Sequence, residues 1–101
     1  MSLTVAVDTQ ACDKQVLEQY LDAIWMERGL SDNTLQAYRR DLSAFSLWLL
    51  QASQSLLTAD TVSVQSYLAY RLLELKLSAR SSARALSSLR GFYRWHLREE
   101  R

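Results

Sequence analysis

The sequence predicts an all-α protein, a compact bundle of four main helices joined by short connections. Proline is absent and glycine occurs only twice in 101 residues, so little interrupts a helical segment. Apolar residues recur at intervals of three and four over long stretches, which is the period of a helix with one buried face. Apolar residues make up 49% and charged residues 23%, a balance typical of a single globular domain.

The N-terminal stretch shows no clear period, and we expect a loose, flexible arm over residues 1–12 and a helical domain over residues 13–100. The first helix is predicted to start near Asp13 and to end near Arg28. Gly29 then suits a left-handed cap, and Leu30 can pack back on the last turn. One apolar stripe covers this helix, formed by Val16, Leu17, Tyr20, Leu21, Ile24 and Trp25.

Three further helices follow from capping residues and periodicity. Ser31 or Asn33 can cap the second helix, whose apolar side runs from Leu35 to Leu49. Polar residues 51–54 mark a loop, and a third helix is predicted from Thr61, with Arg71 falling among its apolar positions. The last helix covers about residues 80–98, and Ser78 or Ser81 can cap it.

A helical wheel divides the last helix into two faces. The apolar arc holds Ala85, Leu86, Leu89, Phe92, Tyr93, His96 and Leu97. The opposite side holds Arg84, Ser87, Ser88, Gly91, Arg94 and Arg98, with Arg90 at the boundary. Trp95 lies on the polar side, and we expect a partner, DNA or another domain to cover it.

The net charge of +1 hides an asymmetry. Residues 1–60 carry four basic and eight acidic side chains, whereas residues 61–101 carry eight basic and three acidic ones. Because nearly all the basic residues of the second part are arginines, a polyanionic partner is indicated. The alternative is a solvated helix face that forms salt bridges with the acidic part.

Other function classes find little support in the residues. No metal-ligand cluster, Gly-rich phosphate loop or nucleophile–base pair is evident, so we expect no catalytic residue, no metal and no cofactor. The single Cys12 cannot form an internal disulfide, which agrees with a reducing cytoplasm. No apolar run approaches the roughly 20 residues of a membrane span, and no secretory signal is evident. A cytoplasmic, nucleoid-associated protein without a membrane partner is therefore expected.

Two predicted helix starts combine small polar side chains with arginines, which is an arrangement that attracts phosphate. The alternative explanation of the small polar residues is helix capping alone. For the second helix, the sequence does not decide which of two adjacent arginines faces DNA. The candidate DNA-binding residues are Asn33, Thr34, Gln36, Arg39 and Arg40 on the second helix and Arg80, Ser81, Ser82, Arg84, Ser88 and Arg90 on the last.

Asp41 differs from these candidates because it falls in the apolar arc of its helix, beside Tyr38 and Phe45. An unpaired carboxylate there would be costly. We therefore expect Asp41 to accept hydrogen bonds from Arg84 or Arg90 of the last helix and to orient that arginine. Asp41 and Tyr38 are accordingly assigned structural support.

Three fragments in this order and spacing resemble a known family. They are Ser31-Asp-Asn-Thr34 with Ala37-Tyr-Arg-Arg-Asp-Leu42, Leu17-Glu-Gln-Tyr-Leu21 with Trp25, and Ser81-Ser-Ala-Arg84 with Leu86-Ser-Ser-Leu-Arg-Gly-Phe-Tyr93. They resemble the N-terminal, core-binding domain of Xer-type tyrosine recombinases. The resemblance implies a SAM-like four-helix domain that forms one half of a C-shaped clamp on duplex DNA. It also implies that the second and fourth helices cross the recombination half-site near the major groove.

The resemblance also sets expectations for activity and partners. It places catalysis in a separate C-terminal domain with a His-x-x-Arg motif, whereas His96 here is followed by Glu99, so this chain is expected to bind DNA and not to cut it. Double-stranded DNA and partner recombinase protomers, of the same or a second Xer kind, would assemble as a tetramer that resolves chromosome dimers. The competing hypothesis is a helical protein-interaction module that uses an amphipathic groove or Trp95.

Overall fold

The computed structural model describes residues 3–99, with side chains from residue 9 onward, and contains four helices in this range. They are α1 (Leu3–Arg28), α2 (Asp32–Leu50), α3 (Thr61–Leu73) and α4 (Ala79–Glu99). No strand occurs within residues 3–99. The predicted all-α, four-helix architecture is confirmed, and none of these helices combines the length and apolar character needed to cross a membrane.

Helix α1 begins at Leu3, so the start predicted near Asp13 is wrong. Nothing between Leu3 and Asp13 stops a helix, and a missing apolar period shows only that this stretch lacks one buried face. Asp13 is buried instead of capping the helix, and its carboxylate accepts hydrogen bonds from Ser46 Oγ at 2.6 Å and Leu56 N at 3.1 Å. It thereby ties α1 to α2 and to the loop that follows. Residues 1 and 2 of the expected arm lie outside the described residues, and a domain boundary at residue 13 stays a prediction.

The other helix ends follow local capping chemistry. Gly29 adopts the predicted left-handed conformation, with φ of 62°, and Leu30 packs against the core. Of the two residues proposed to cap α2, Ser31 does so, since its hydroxyl accepts from Thr34 N at 3.2 Å. Ser78 caps α4 by accepting from Ser81 N at 3.0 Å.

A single core lies where the four helices meet. Edge-to-face and tilted ring pairs join its elements, with centroids 5.5 Å apart for Tyr20 and Phe92 and 4.9 Å apart for Phe45 and Tyr67. Trp25 is exposed, so the apolar stripe predicted for α1 wrongly includes it as a buried residue. The buried apolar residues are Leu17, Tyr20, Leu21, Ile24, Leu42, Phe45, Leu49, Leu56, Tyr67, Ala85, Leu89 and Phe92.

Helix α1 covers part of the α4 side that the wheel places opposite the apolar arc. A Cβ atom added at Gly91 would lie 2.6 Å from the Tyr20 hydroxyl, so glycine permits this helix approach. Trp95 is half-buried, and its ring centroid lies 5.4 Å from that of Tyr20. The expectation that Trp95 is an exposed surface residue is wrong, because a wheel of one helix cannot include a neighbouring helix.

Candidate nucleic-acid interface

Asp41 on α2 joins that helix to α4 through a three-bond cluster. Its Oδ1 accepts from Arg84 Nη2 at 2.9 Å, and its Oδ2 accepts from Arg84 Nε at 3.2 Å and from Ser88 Oγ at 3.0 Å. Asp41 is only 4% exposed, so a buried carboxylate receives the partners that burial requires. The prediction that Asp41 accepts hydrogen bonds from an arginine of the last helix is confirmed, and that arginine is Arg84.

Arg84 is held in place but remains open to solvent. Two of its nitrogens bind Asp41, and its side chain is still 50% exposed. The hydrogen bonds and the charge of Asp41 raise the pKa of the Arg84 guanidinium above its ordinary value. A guanidinium fixed on one edge can present its remaining N–H groups to an external anion at little further cost in side-chain entropy.

The two adjacent arginines of α2 lie in different environments. Arg39 donates from Nη2 to Glu18 Oε1 at 2.7 Å and from Nε to Glu18 Oε2 at 2.9 Å, so it binds α1. This hydrogen-bonded pair lowers the pKa of Glu18 and raises that of Arg39. Arg40 is exposed and, among the described residues, forms no ion pair. Successive residues of a helix point about 100° apart, which is why one arginine packs on α1 and the other faces solvent.

The first turn of α2 supplies polar groups beside Arg40. Asn33 is exposed, whereas Thr34 is half-buried and its hydroxyl lies 3.0 Å from the Ser31 hydroxyl. Gln36 is exposed and accepts from Arg39 Nη1 at 2.9 Å. Within residues 9–99 the Asn33 side chain has no hydrogen-bond partner, while the other two side chains also serve contacts within the protein.

The first turn of α4 is also divided between surface and interior. Arg80 is exposed, and Ser81 is half-buried and accepts from Arg71 Nη2 at 2.8 Å. Ser82 and Ser88 are buried, so their placement on an outward face is wrong. Ser88 completes the Asp41 cluster, and the Ser82 hydroxyl has no hydrogen-bond partner within the described chain. The chemistry of these small polar residues predicts an outward, DNA-facing position, but here they lie where helices approach closely.

Arg90 lies on a different side of α4 from Arg84 and its partner Asp41. It lines a groove of about 850 Å³ between α3 and α4, together with Asp60, Leu86 and Leu97. Arg90 lies six positions after Arg84, which turns its side chain by about 120° around the helix relative to that of Arg84. Arg90 and Arg84 therefore belong to different sides of α4.

Helix α4 carries five exposed arginines, which are Arg80, Arg84, Arg90, Arg94 and Arg98. The only acidic residue in this helix is Glu99, in its last turn. Arg98 pairs with Glu27 of α1 at 2.8 Å, whereas Arg94 has no ion-pair partner among the described residues. The wheel placed Arg94 and Arg98 together on the polar side. The sequence did not show that Arg98 is ion-paired whereas Arg94 remains available.

Neither the tyrosines nor the acidic residues form a recognisable catalytic group within the described chain. Tyr93 donates its hydroxyl proton to Leu56 O at 2.7 Å, and burial raises its pKa, so the phenol stays neutral. Burial likewise raises the pKa of Tyr20. No cluster of three or more potential metal ligands occurs among the described residues. The tyrosines are core or core-edge residues, as their helical spacing predicts.

Comparison with known proteins agrees with this architecture. The sequence profile of the phage integrase, N-terminal SAM-like domain family matches residues 17–100, and the chain belongs to this family. The similar proteins include Tyrosine recombinase XerD of Pseudomonas putida, 48% identical over 90 residues, and Tyrosine recombinase XerD of Proteus mirabilis, 43% identical over 97 residues. These alignments cover 89% and 96% of this chain but 30% and 31% of the relatives. No solved structure matches the chain significantly.

These matches confirm the resemblance to Xer-type tyrosine recombinases, and the similar proteins named above are both XerD. Tyrosine recombinase XerD of Pseudomonas aeruginosa is 46% identical over 84 residues, which is 83% of this chain and 28% of the relative. The chain therefore spans about a third of the length of the curated relatives it matches.

Proposed function

We propose that this chain is the duplex-DNA-binding half-clamp of a tyrosine site-specific recombinase. The observation that carries the proposal is the Asp41–Arg84 pair, which fixes a half-exposed arginine of α4 against α2. Exposed Arg40 on α2 and Arg80 on α4 add cations from the same two helices. Arginines on two helices held in a fixed relation match what a phosphate backbone requires for positioning.

The proposed contacts follow from exposure and from partners within the protein. We assign DNA contact to exposed or half-exposed groups: Asn33, Thr34, Gln36, Arg40, Arg80, Ser81, Arg84 and Arg94. Arg39, Ser82 and Ser88 are assigned to holding the helices together, because they are paired internally or buried. Arg90 is assigned to the groove side of α4, where it can add long-range attraction without a direct contact.

The wider role rests on the relatives. They are named Tyrosine recombinase XerD, and the part of them that this chain matches is less than a third of their length. We infer that strand cleavage and transfer belong to the remaining two thirds, and that this part binds the half-site and helps recombinase protomers assemble. An XerC-like or identical protomer would complete a tetramer that resolves chromosome dimers in the cytoplasm.

Fluorescence anisotropy with a short labelled duplex at about 50 and about 200 mM salt tests the proposal. We expect binding at low salt with a dissociation constant of about 10⁻⁴ to 10⁻⁶ M, weakening steeply at high salt. A charge-matched control is the Lys14→Ala variant, which removes an exposed cation from α1, a helix that carries none of the proposed DNA contacts. No binding at low salt would contradict the proposal.

A protein-interaction module is the competing function, and the groove between α3 and α4 is the feature that favours it. Leu86, Leu89 and Val64 supply apolar lining there. This function predicts that DNA binding is absent and that the Arg84→Ala variant behaves like the wild type. The same anisotropy measurement therefore separates the two functions.

A further inference from the structure

Arg71 is a buried cation for which the described part of the chain offers no carboxylate partner. Its side chain lies in the last turn of α3, is only 5% exposed, and forms no ion pair with any described residue. The nearest acidic residue in the sequence, Glu74, is exposed and does not pair with it. A buried charge is costly unless other groups compensate it, so the surroundings of Arg71 call for an explanation.

Three internal contacts compensate this charge only in part. The guanidinium carbon lies 5.8 Å from the centroid of the Tyr67 ring, which is within range of a cation–π contact. The C-terminal end of α3 attracts positive charge. Nη2 donates to Ser81 Oγ at 2.8 Å, while Nε is buried and has no hydrogen-bond partner among the described residues. The Tyr67 ring and the Ser81 hydroxyl are neutral, and the end of α3 carries only a partial charge. The positive charge of Arg71 is therefore not neutralised by these groups, and the start of α4 keeps a positive potential.

The bond between Arg71 and Ser81 fixes what the serine hydroxyl can do. A guanidinium only donates, so Ser81 Oγ must accept, and its single proton is left for another acceptor. Ser81 is half-exposed in the first turn of α4, beside exposed Arg80. A hydroxyl that accepts from a cation is a stronger donor than a free one, because the chain of bonds is polarised.

We infer that Arg71 is a positioning residue that turns Ser81 into a hydrogen-bond donor for a phosphate oxygen of the bound duplex. This inference rests on the proposed function, since it assigns the ligand of the first turn of α4. Arg71 does not touch DNA itself, because it is buried beneath that turn. It acts through the Ser81 hydroxyl, and the phosphate supplies the negative charge that the described residues do not.

The test compares DNA binding by wild type, Ser81→Ala, Arg71→Met and the double variant at several salt concentrations. We expect Ser81→Ala to weaken binding by about tenfold, the value of one hydrogen bond to a charged group. Its salt slope should stay that of the wild type, since no charge is lost. Arg71→Met should weaken binding in the wild-type background but have much less effect in the Ser81→Ala background.

The matched control is Ser66→Ala, which removes an exposed serine hydroxyl from α3, a helix without proposed DNA contacts. Helix content and cooperative melting check that each variant folds, and if Arg71→Met does not fold, Ser81→Ala against Ser66→Ala decides. Equal binding by those two serine variants, or by a folded Arg71→Met and the wild type, would overturn the inference. Failure of the wild type to bind DNA at low salt would instead overturn the proposed function.

Discussion

Asp41 on α2 and Arg84 on α4 form a two-pronged ion pair in which the carboxylate is buried and the guanidinium is half-exposed. The pair makes one connection between the two helices proposed to contact DNA. Because the buried partner is the anion, the exposed partner is oriented from within the protein. Stability and DNA binding should therefore depend on the same carboxylate.

Asp41→Asn should lower the free energy of unfolding by about 1–3 kcal/mol, because the amide places an NH₂ group where Arg84 and Ser88 need acceptors. DNA affinity should fall as well, since Arg84 loses its fixed orientation. Urea unfolding and anisotropy measure the two effects. Asp22→Asn, which removes an exposed carboxylate of α1, is the charge-matched control. A variant with wild-type stability and wild-type affinity would contradict this role.

Arg40→Ala and Arg39→Ala should affect different properties although the residues are adjacent: the first should change DNA binding and the second should change stability. Arg40→Ala should reduce the magnitude of the slope of log affinity against log salt by about 0.9, as expected for one lost phosphate contact. Arg39→Ala should leave that slope nearly unchanged and lower the free energy of unfolding by about 0.2–1 kcal/mol, because it loses Glu18. Equal losses of slope in both variants would show that the Glu18 pair does not keep Arg39 from DNA.

Gly91→Ala should destabilise the protein in a way that depends on Tyr20. Its Cβ would lie 2.6 Å from the buried Tyr20 hydroxyl, and overpacking of this kind costs about 1–3 kcal/mol. Tyr20→Phe removes the clashing oxygen, so in that background alanine should instead stabilise by up to about 1 kcal/mol through helix propensity. Thermal unfolding of the two single variants and the double variant measures the coupling. Additive effects would mean that the two helices separate to admit the methyl group.

Stability should decrease at acidic pH partly through Glu18. The hydrogen bonds from Arg39 lower the pKa of Glu18 from its ordinary value of 4.5, so the folded protein binds this proton less readily than the unfolded chain. The contribution is fully present above the unfolded pKa and is lost as pH falls through the lower folded pKa. Glu18→Gln should therefore cost about 0.2–1 kcal/mol at neutral pH and nothing at strongly acidic pH.

Unfolding of the wild type and Glu18→Gln across this pH range measures the effect. In the Arg39→Ala background, the same substitution should show almost no pH-dependent difference, because the partner that shifts the pKa is gone. A difference that persists in this background would assign the pH dependence to another carboxylate.

Local signals predicted the helices well where they are strong. Gly29, the apolar period of α2 and the start of α3 at Thr61 all lie where the sequence places them. The start of α1 was missed because a helix needs no buried stripe to continue, and Asp13 has the chemistry of a cap but the position of a core residue. A single-helix wheel also placed Ser88 and Gly91 on the outward, polar side of α4, since it contains no information about neighbouring helices.

The candidate interface also combines features that the sequence predicts with features that only the tertiary structure shows. The arginines, the expected pairing of Asp41 and the family resemblance could be read from the residues. The choice between Arg39 and Arg40, and the burial of Arg71 under Ser81, required the packing of other helices. Both depend on contacts between residues distant in sequence or on adjacent helices, which no local pattern records.

The sequence by itself determined four amphipathic helices, a basic last helix and the fragments that mark the recombinase family. Those properties depend on residue type and short-range spacing, which act before any tertiary contact forms. Only the tertiary structure decided which polar groups become internal partners and which remain available to a ligand. The physical reason is that a buried charge or hydroxyl must be paired where the helices meet, and that meeting point is set by the packing of all four.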